Sequence, residues 1–291
     1  MTNGFGNHVI ACIGGDERER EIVRLAAASG ATVRAHGIPD PDNPIPGVTF
    51  VSSPAEAASG ATVLILPLPG MQGLTVFAPR HDATISIDEE VLNRLAPGAP
   101  VFCGHASPEF ASLAARLKLT VHEYEPDTAG RLARVPAIVE GTIARIVANT
   151  DRTIHAARIA IVGYGIVGAH VAAGLRALGA DTYVFARNRE QRAAAFACGH
   201  RAGDLDELAA ALPEMDMVVS SPPVRVLSEA LLARLRPDCV VFDLSSPPGS
   251  VDHDAARRLG TKLVWARGLG STSPVTVGRA QWSVMEAILR G

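Results

Sequence analysis

Short runs of β-branched residues alternate along the chain with Ala- and Leu-rich stretches whose apolar positions recur at helical spacing. Apolar runs bounded by turn residues read as strands buried on both faces, and the intervening stretches as crossover helices, so the pattern predicts parallel sheets of the α/β class. In the first half it predicts a strand over residues 8–13, the turn Gly14-Gly15-Asp16, a helix over 17–29 and a strand over 32–36. Later strands are predicted at 62–66, 100–103 and 120–123. The second half repeats the plan, with a strand over 158–162, a glycine turn, a helix over 167–178 and strands at 182–185, 217–220, 240–244 and 262–265. Two tandem Rossmann-like, doubly wound parallel-sheet domains are the simplest reading, and a length of 291 residues agrees with two cores rather than one.

Between the halves, residues 138–148 are apolar and helical, preceded by Pro136 and ended near Asn149-Thr150-Asp151. A last helical stretch over 275–289 carries apolar residues at Val277, Ala280, Val284, Ala287 and Ile288. The expected division is therefore a Rossmann-like substrate and catalytic domain (1–135), a linker helix (136–152), a dinucleotide-binding Rossmann domain (153–272) and a C-terminal helix (273–291) returning to the first domain. The reaction is expected in the cleft between domains. Proline-rich residues 39–46 read as a surface loop.

Composition narrows the function. Hydrophobic residues make up 47% and aromatics 4%, so the cores are built from Ala, Val, Leu and Ile. With 27 basic and 30 acidic residues intermingled, the net charge of −3 gives no positive field for a polyanion, which argues against nucleic acid. No run approaches the roughly 20 apolar residues of a membrane span, and residues 1–7 lack a basic, apolar leader, so a cytoplasmic protein without a membrane partner is expected. The four cysteines are scattered, with no metal-ligand spacing among them or the histidines. They read as reduced core thiols, and no metal is expected.

The chemistry centres on Gly163-Tyr164-Gly165-Ile166-Val167-Gly168, placed between the strand run Ile159-Ala160-Ile161-Val162 and an amphipathic helix. In such a turn Gly163 permits the bend, Gly165 lets backbone approach a pyrophosphate, and Gly168 lets helix pack on strand, while the helix N-terminus offers free N–H groups. NAD-specific domains place an acid at the end of the next strand to bind the ribose hydroxyls. Here the strand ends in Ala186-Arg187-Asn188-Arg189, where the arginines can pair with a 2′-phosphate and Asn188 can donate to it, so the expected cofactor is NADP(H). Ser220-Ser221-Pro222, Leu244-Ser245 and Gly268 fall in loops at the carboxyl edge of the same sheet and join the cofactor candidates. The turn Gly14-Gly15-Asp16 lacks the third glycine and is followed by carboxylates, so the first domain is expected to hold substrate instead.

With these motifs placed, the chain resembles the A-chain family of dipicolinate synthase from endospore-forming bacteria. The resemblance is carried by residues 13–19, by Val139-Glu140-Gly141-Thr142-Ile143, by Thr150-Asp151-Arg152-Thr153-Ile154-His155, by Ala186-Arg187, by residues 243–249, and by Gly268-Leu269-Gly270 with Pro274. The family pattern Pro-Thr-x-Glu-Gly before the linker helix is replaced by Pro136-Ala137-Ile138-Val139-Glu140-Gly141. The resemblance implies oxidation of a cyclic dihydro- or hydroxytetrahydro-dicarboxylate to dipicolinate for spores, together with a flavoprotein-like second subunit of the synthase, in a homo-oligomer. Candidates for proton transfer are Glu140, a carboxylate in an otherwise apolar helix, and His105 in a glycine-flanked loop. Substrate-binding candidates are Pro67, Gly104, Ser107 and Thr142; Ser107 can equally cap the next helix, and Thr142 can satisfy a helix carbonyl. Two other readings compete. A shikimate-dehydrogenase-like enzyme is disfavoured because the two lysines, Lys118 and Lys262, lie away from the expected cleft loops. A non-catalytic NADPH-binding protein whose partner does the chemistry is the third.

Overall fold

The computed structural model describes residues 4–38, 44–124 and 126–291. The chain divides into two compact units, Met1–Arg134 with Ser273–Gly291, and Val135–Thr272. The first contains strands β1 (Val9–Ile13), β2 (Thr32–His36), β3 (Val48–Phe50), β4 (Val63–Ile65), β5 (Met71–Gln72), β6 (Thr75–Val76), β7 (Val101–Cys103) and β8 (Val121–Glu123). Six of them form a parallel sheet in the order β3-β2-β1-β4-β7-β8, and β5 with β6 makes an antiparallel hairpin. The second contains β9 (Arg158–Val162), β10 (Asp181–Phe185), β11 (Arg201–Gly203), β12 (Met217–Ser220), β13 (Val240–Asp243) and β14 (Lys262–Trp265), ordered β11-β10-β9-β12-β13-β14 and all parallel. In each sheet the winding reverses at the first strand, and the crevice beyond the carboxyl ends at that reversal is where such sheets bind ligands.

Both faces of each sheet are covered, which is why the inner strands β1, β4, β7, β9, β12 and β13 are buried almost along their whole length rather than alternating. Successive side chains of β9 go to opposite cores: Ile159 and Ile161 to one, Ala160 and Val162 to the other. β1 does the same, with Ala11 and Ile13 on one side and Ile10 and Cys12 on the other.

The helix between the halves runs over Thr128–Asn149, so it begins before Pro136 rather than at it. A proline removes one hydrogen bond and crowds one carbonyl, but Val135 and Ala137 beside it are buried and hold the helix through that fault. It ends where the Asn149 side-chain amide donates to the Arg145 carbonyl at 2.8 Å.

The last helix, Pro274–Arg290, packs within the first unit against the helix Glu17–Ala28. Gly278 permits that approach, since a Cβ there would lie 2.7 Å from the Arg18 carbonyl oxygen. Arg279 reaches the buried Glu21 at 3.2 Å, and Trp282 and Met285 join the core around Phe5. Of the four thiols, Cys12, Cys103 and Cys239 are buried, but Cys198 is exposed, because it caps the solvent end of the helix Arg189–Ala197. Most of the proline-rich loop, residues 39–43, lies outside the described residues. Among the described residues no helix is long and apolar enough to cross a membrane.

Candidate functional site

Three glycines shape the turn after β9, and only two of them are needed by the protein itself. Gly163 has φ +87°, and its N–H donates to the Phe185 carbonyl at 2.9 Å, tying the turn to the end of β10. A Cβ at Gly168 would lie 2.2 Å from the Gly163 carbonyl oxygen, so no side chain fits where helix crosses strand. Gly165 is different: its φ of −83° suits any residue, and an added Cβ would meet nothing within 4 Å. It is the exposed N-cap of the helix Ile166–Ala177, and no side chain caps the first turn. Uncapped donors at a helix start, beside a glycine the fold does not require, fit the pyrophosphate of a dinucleotide. Tyr164 anchors the turn, edge-on to His200 at 5.9 Å, and burial with a hydrogen bond to Cys198 pushes its hydroxyl up to about 12.

At the end of β10, Ala186 is buried while Arg187, Asn188 and Arg189 are exposed. The Asn188 side-chain oxygen accepts from the Glu190 N–H at 2.8 Å as a helix cap, leaving its amide N–H₂ free to donate. Neither Arg187 nor Arg189 pairs with an acid among the described residues, whereas Arg192 beneath them bonds the carbonyls of Ala186 and Arg187 and pairs with Asp204 at 2.5 Å. Arg192 thus fixes the backbone that presents the two free guanidinium groups. Nothing in the sequence separates it from its arginine neighbours.

The remaining cofactor candidates divide. Pro222 closes on the turn, 2.9 Å from where a Gly163 Cβ would stand, and Ser221 hydrogen-bonds the Val162 carbonyl at 3.3 Å. Leu244 is half-buried, and Gly268, exposed with φ +66°, makes a bend only glycine enters cheaply. Ser220 is fully buried with no partner for its hydroxyl among the described residues, and the Ser245 hydroxyl donates to Asp243. Asp243, at the end of β13, is itself a fully buried hub that accepts from Ser245, from Ser250, from the Val251 N–H and from His253. Burial raises its carboxyl, but hydrogen bonds from Ser245 and His253 outweigh that and hold it below the usual carboxylate value.

The equivalent turn of the first unit is filled by the protein's own atoms. Gly15 N–H donates to the Phe77 carbonyl at 2.7 Å, and a Cβ on Gly14 would lie 2.7 Å from Val76. The Glu19 carboxylate, wholly buried, accepts from Asp16 N–H at 2.8 Å and Leu68 N–H at 3.1 Å, where a phosphate would otherwise draw on backbone donors. Burial pushes its carboxyl up, against the lowering pull of Arg18.

The catalytic and substrate candidates fare unevenly. His105 is exposed, and its Nδ1 lies 3.0 Å from Glu123 Oε1 at the end of β8. The same oxygen accepts the Ala106 N–H at 2.6 Å, so Glu123 fixes both ring and loop and leaves Nε2 free. Glu123 was not legible in the sequence, because only the pairing of β7 with β8, with Cys103 opposite Glu123, brings it there. Pro67 and Gly104 serve packing: the Gly104 N–H donates to the Pro67 carbonyl, and a Gly104 Cβ would overlap the Leu68 carbonyl oxygen at 1.6 Å. Ser107 caps the helix Pro108–Arg116, accepting from the Phe110 N–H at 3.0 Å, and donates to the Gly73 carbonyl at 2.6 Å, which is the capping role the sequence also offered. Thr142 is buried and donates to the Ile138 carbonyl at 2.7 Å, the helix-satisfying alternative stated for it. Glu140 is exposed, so no cost of burial argues for its use. Its neighbours explain the motif as packing, for a Gly141 Cβ would meet the Leu269 carbonyl oxygen at 2.9 Å, and Ile143 lies against the core of the second unit. Among the described residues no cluster of His, Cys, Asp and Glu is placed to hold a metal ion.

Comparison with known proteins agrees with this geometry. Residues 9–125 match the N-terminal domain of the dipicolinate synthase A chain, and residues 137–245 match the NAD-binding domain of D-isomer specific 2-hydroxyacid dehydrogenases. The dipicolinate synthase A chain of Bacillus subtilis (strain 168) is 29% identical over 96% of this chain and 95% of its own. A crystal structure of the dipicolinate synthase A chain from Bacillus halodurans superposes with TM-score 0.90 at 27% identity, covering 100% of both chains. That of the Bacillus subtilis A chain gives 0.86 at 27% identity over 97% of this chain and 95% of its own. The second unit is thus of the dehydrogenase type, and its cofactor is a nicotinamide dinucleotide.

Proposed function

Because this chain belongs to the A-chain family of dipicolinate synthase, we propose that it is the NADP-dependent oxidoreductase component that oxidises dihydrodipicolinate, or its hydrated tetrahydro precursor, to dipicolinate. The observation that carries the cofactor choice is the end of β10, where two unpaired guanidinium groups stand in the place of the acid that would select NAD. The open Gly165 turn supports the same reading by offering its backbone donors to the pyrophosphate. When bound, the nicotinamide supplies the hydride acceptor. The chain's own residues supply the rest. Arg187 and Arg189 neutralise the 2′-phosphate, with Asn188 donating to it. His105 takes the proton that the ring loses, through Nε2, while Glu123 holds the Nδ1–H tautomer that leaves Nε2 basic. The product's use in spores and a flavoprotein-like second subunit as partner complete the proposal.

A non-catalytic NADPH-binding role is favoured by one fact, the commitment of the Ser107 and Thr142 hydroxyls to the protein's own carbonyls. The two readings part in a single assay. The chain, alone and with the flavoprotein-like partner, is given NADP+ and the product of dihydrodipicolinate synthase, and NADPH absorbance is followed. Formation of NADPH that falls with His105→Asn supports the oxidoreductase. No NADPH in either arrangement, from protein that binds the cofactor, leaves the non-catalytic role.

A further inference from the structure

Three arginines in the described residues lie over aromatic rings, and they differ in one respect. Arg201 over Tyr183 also pairs with Asp181 at 3.3 Å, and Arg290 over Phe5 also pairs with Glu286 at 2.6 Å. Arg267, exposed, sits 5.0 Å over Trp265 and has no carboxylate partner among the described residues. Its ring platform is held by two contacts, one of which is anchored in turn on Asp243. Trp265 Nε1 donates to the Ser245 carbonyl at 2.9 Å, the His253 ring meets the indole edge-on at 4.2 Å, and His253 Nε2 is bound to buried Asp243 at 2.9 Å. The hub on Asp243 therefore fixes, through two routes, the face on which this cation rests.

This platform stands just past the carboxyl end of β14, with Asp243 and Trp265 paired in register, on the same edge of the sheet as the Gly163 turn. A guanidinium held over an aromatic ring by cation–π attraction spends none of its N–H groups on the contact, and its fork of donors matches a carboxylate in bidentate fashion. We propose that Arg267 is the receptor for one carboxylate of a small cyclic dicarboxylate, held on the Trp265 platform for that purpose. This rests on the proposed function, which supplies the dicarboxylate; the positive charge and the pinned indole supply the recognition.

The test uses the full-length chain saturated with NADP+ and titrated calorimetrically with pyridine-2,6-dicarboxylate, together with a separate NADPH fluorescence titration. Wild type, Arg267→Gln and Arg267→Lys are compared; the side chain is exposed, so folding is retained. The expected result is dicarboxylate binding weakened about tenfold or more in R267Q, an intermediate loss in R267K, and NADPH affinity within about twofold of wild type in both. Unchanged dicarboxylate affinity in R267Q overturns the proposal, and so does an equal loss of NADPH affinity, which places Arg267 in the cofactor site instead. Wild-type protein that binds NADPH but no pyridine dicarboxylate overturns the proposed function and this inference together.

Discussion

Replacing Gly165 by Ala and, separately, Gly168 by Ala puts the same methyl group three residues apart and should give opposite results. At Gly168 the methyl carbon would stand 2.2 Å from the Gly163 carbonyl oxygen, about 1 Å inside ordinary contact. Backbone cannot yield that distance without parting helix from strand, and overpacking of this kind costs roughly 1–3 kcal/mol. For a unit of this size that lowers Tm by about 2–4 °C per kcal/mol, so G168A should melt up to roughly 12 °C below wild type. At Gly165 the methyl meets no protein atom within 4 Å and φ is already negative. The cost is the loss of a glycine N-cap, about 0.5–1 kcal/mol, or a few degrees at most. The same methyl occupies the space through which the pyrophosphate must approach the backbone, so NADPH affinity should fall about tenfold or more. The assay is differential scanning fluorimetry without cofactor, followed by NADPH fluorescence titration. G165A that binds NADPH as tightly as wild type would refute the placement of the pyrophosphate on this turn.

Other perturbations probe separate parts of the account. Arg187→Asp should weaken NADPH about tenfold or more while leaving NADH nearly unchanged, since it removes a cation and adds a repelling charge; equal losses would show that Arg187 does not touch the 2′-phosphate. The folded Asp243 carboxyl titrates below its ordinary value of 3.8, so the stability it contributes is complete above about pH 4 and is lost as pH falls through the lower folded value. Asp243→Asn should therefore lower Tm at neutral pH and flatten the acid limb of a Tm–pH series; an unchanged acid limb would remove Asp243 from its cause. Native protein treated briefly with iodoacetamide should gain one adduct by mass spectrometry, on Cys198, because Cys12 is buried and burial pushes the Cys103 and Cys239 thiols up to about 12. Rapid labelling of a second thiol would contradict the packing.

The apolar strands and the glycine turn were legible because both are local, an apolar run covered on two faces and a turn with glycine at fixed offsets, whereas β3, β11 and the hairpin β5–β6 were not predicted, being short and weakly apolar. The linker helix was placed too late because Pro136 signals a start by itself, and only the burial of Val135 and Ala137 overrides it. The cap at Ser107 and the helix carbonyl at Thr142 were legible as alternatives because both are local, whereas the bond from Ser107 to Gly73 and that from Ser245 to Asp243 depend on how the loops fold. Glu140 looked costly in an apolar helix, yet the helix has a solvent face and the carboxylate lies on it. Glu123 and Trp265 escaped notice for a different reason. Each matters through a partner far off in sequence, His105 across the β7–β8 pairing and Arg267 through the Asp243 hub, and such juxtapositions exist only once the sheet is formed.

The central claim is that one NADP(H) binds per chain, at the Gly163 turn, with the first unit's turn closed by Glu19 and Phe77. Calorimetric titration of the intact protein with NADPH and with NADH tests it most directly. The account predicts a single site per chain with NADPH the tighter ligand, and a second site, or NADH binding as tightly as NADPH, would contradict it.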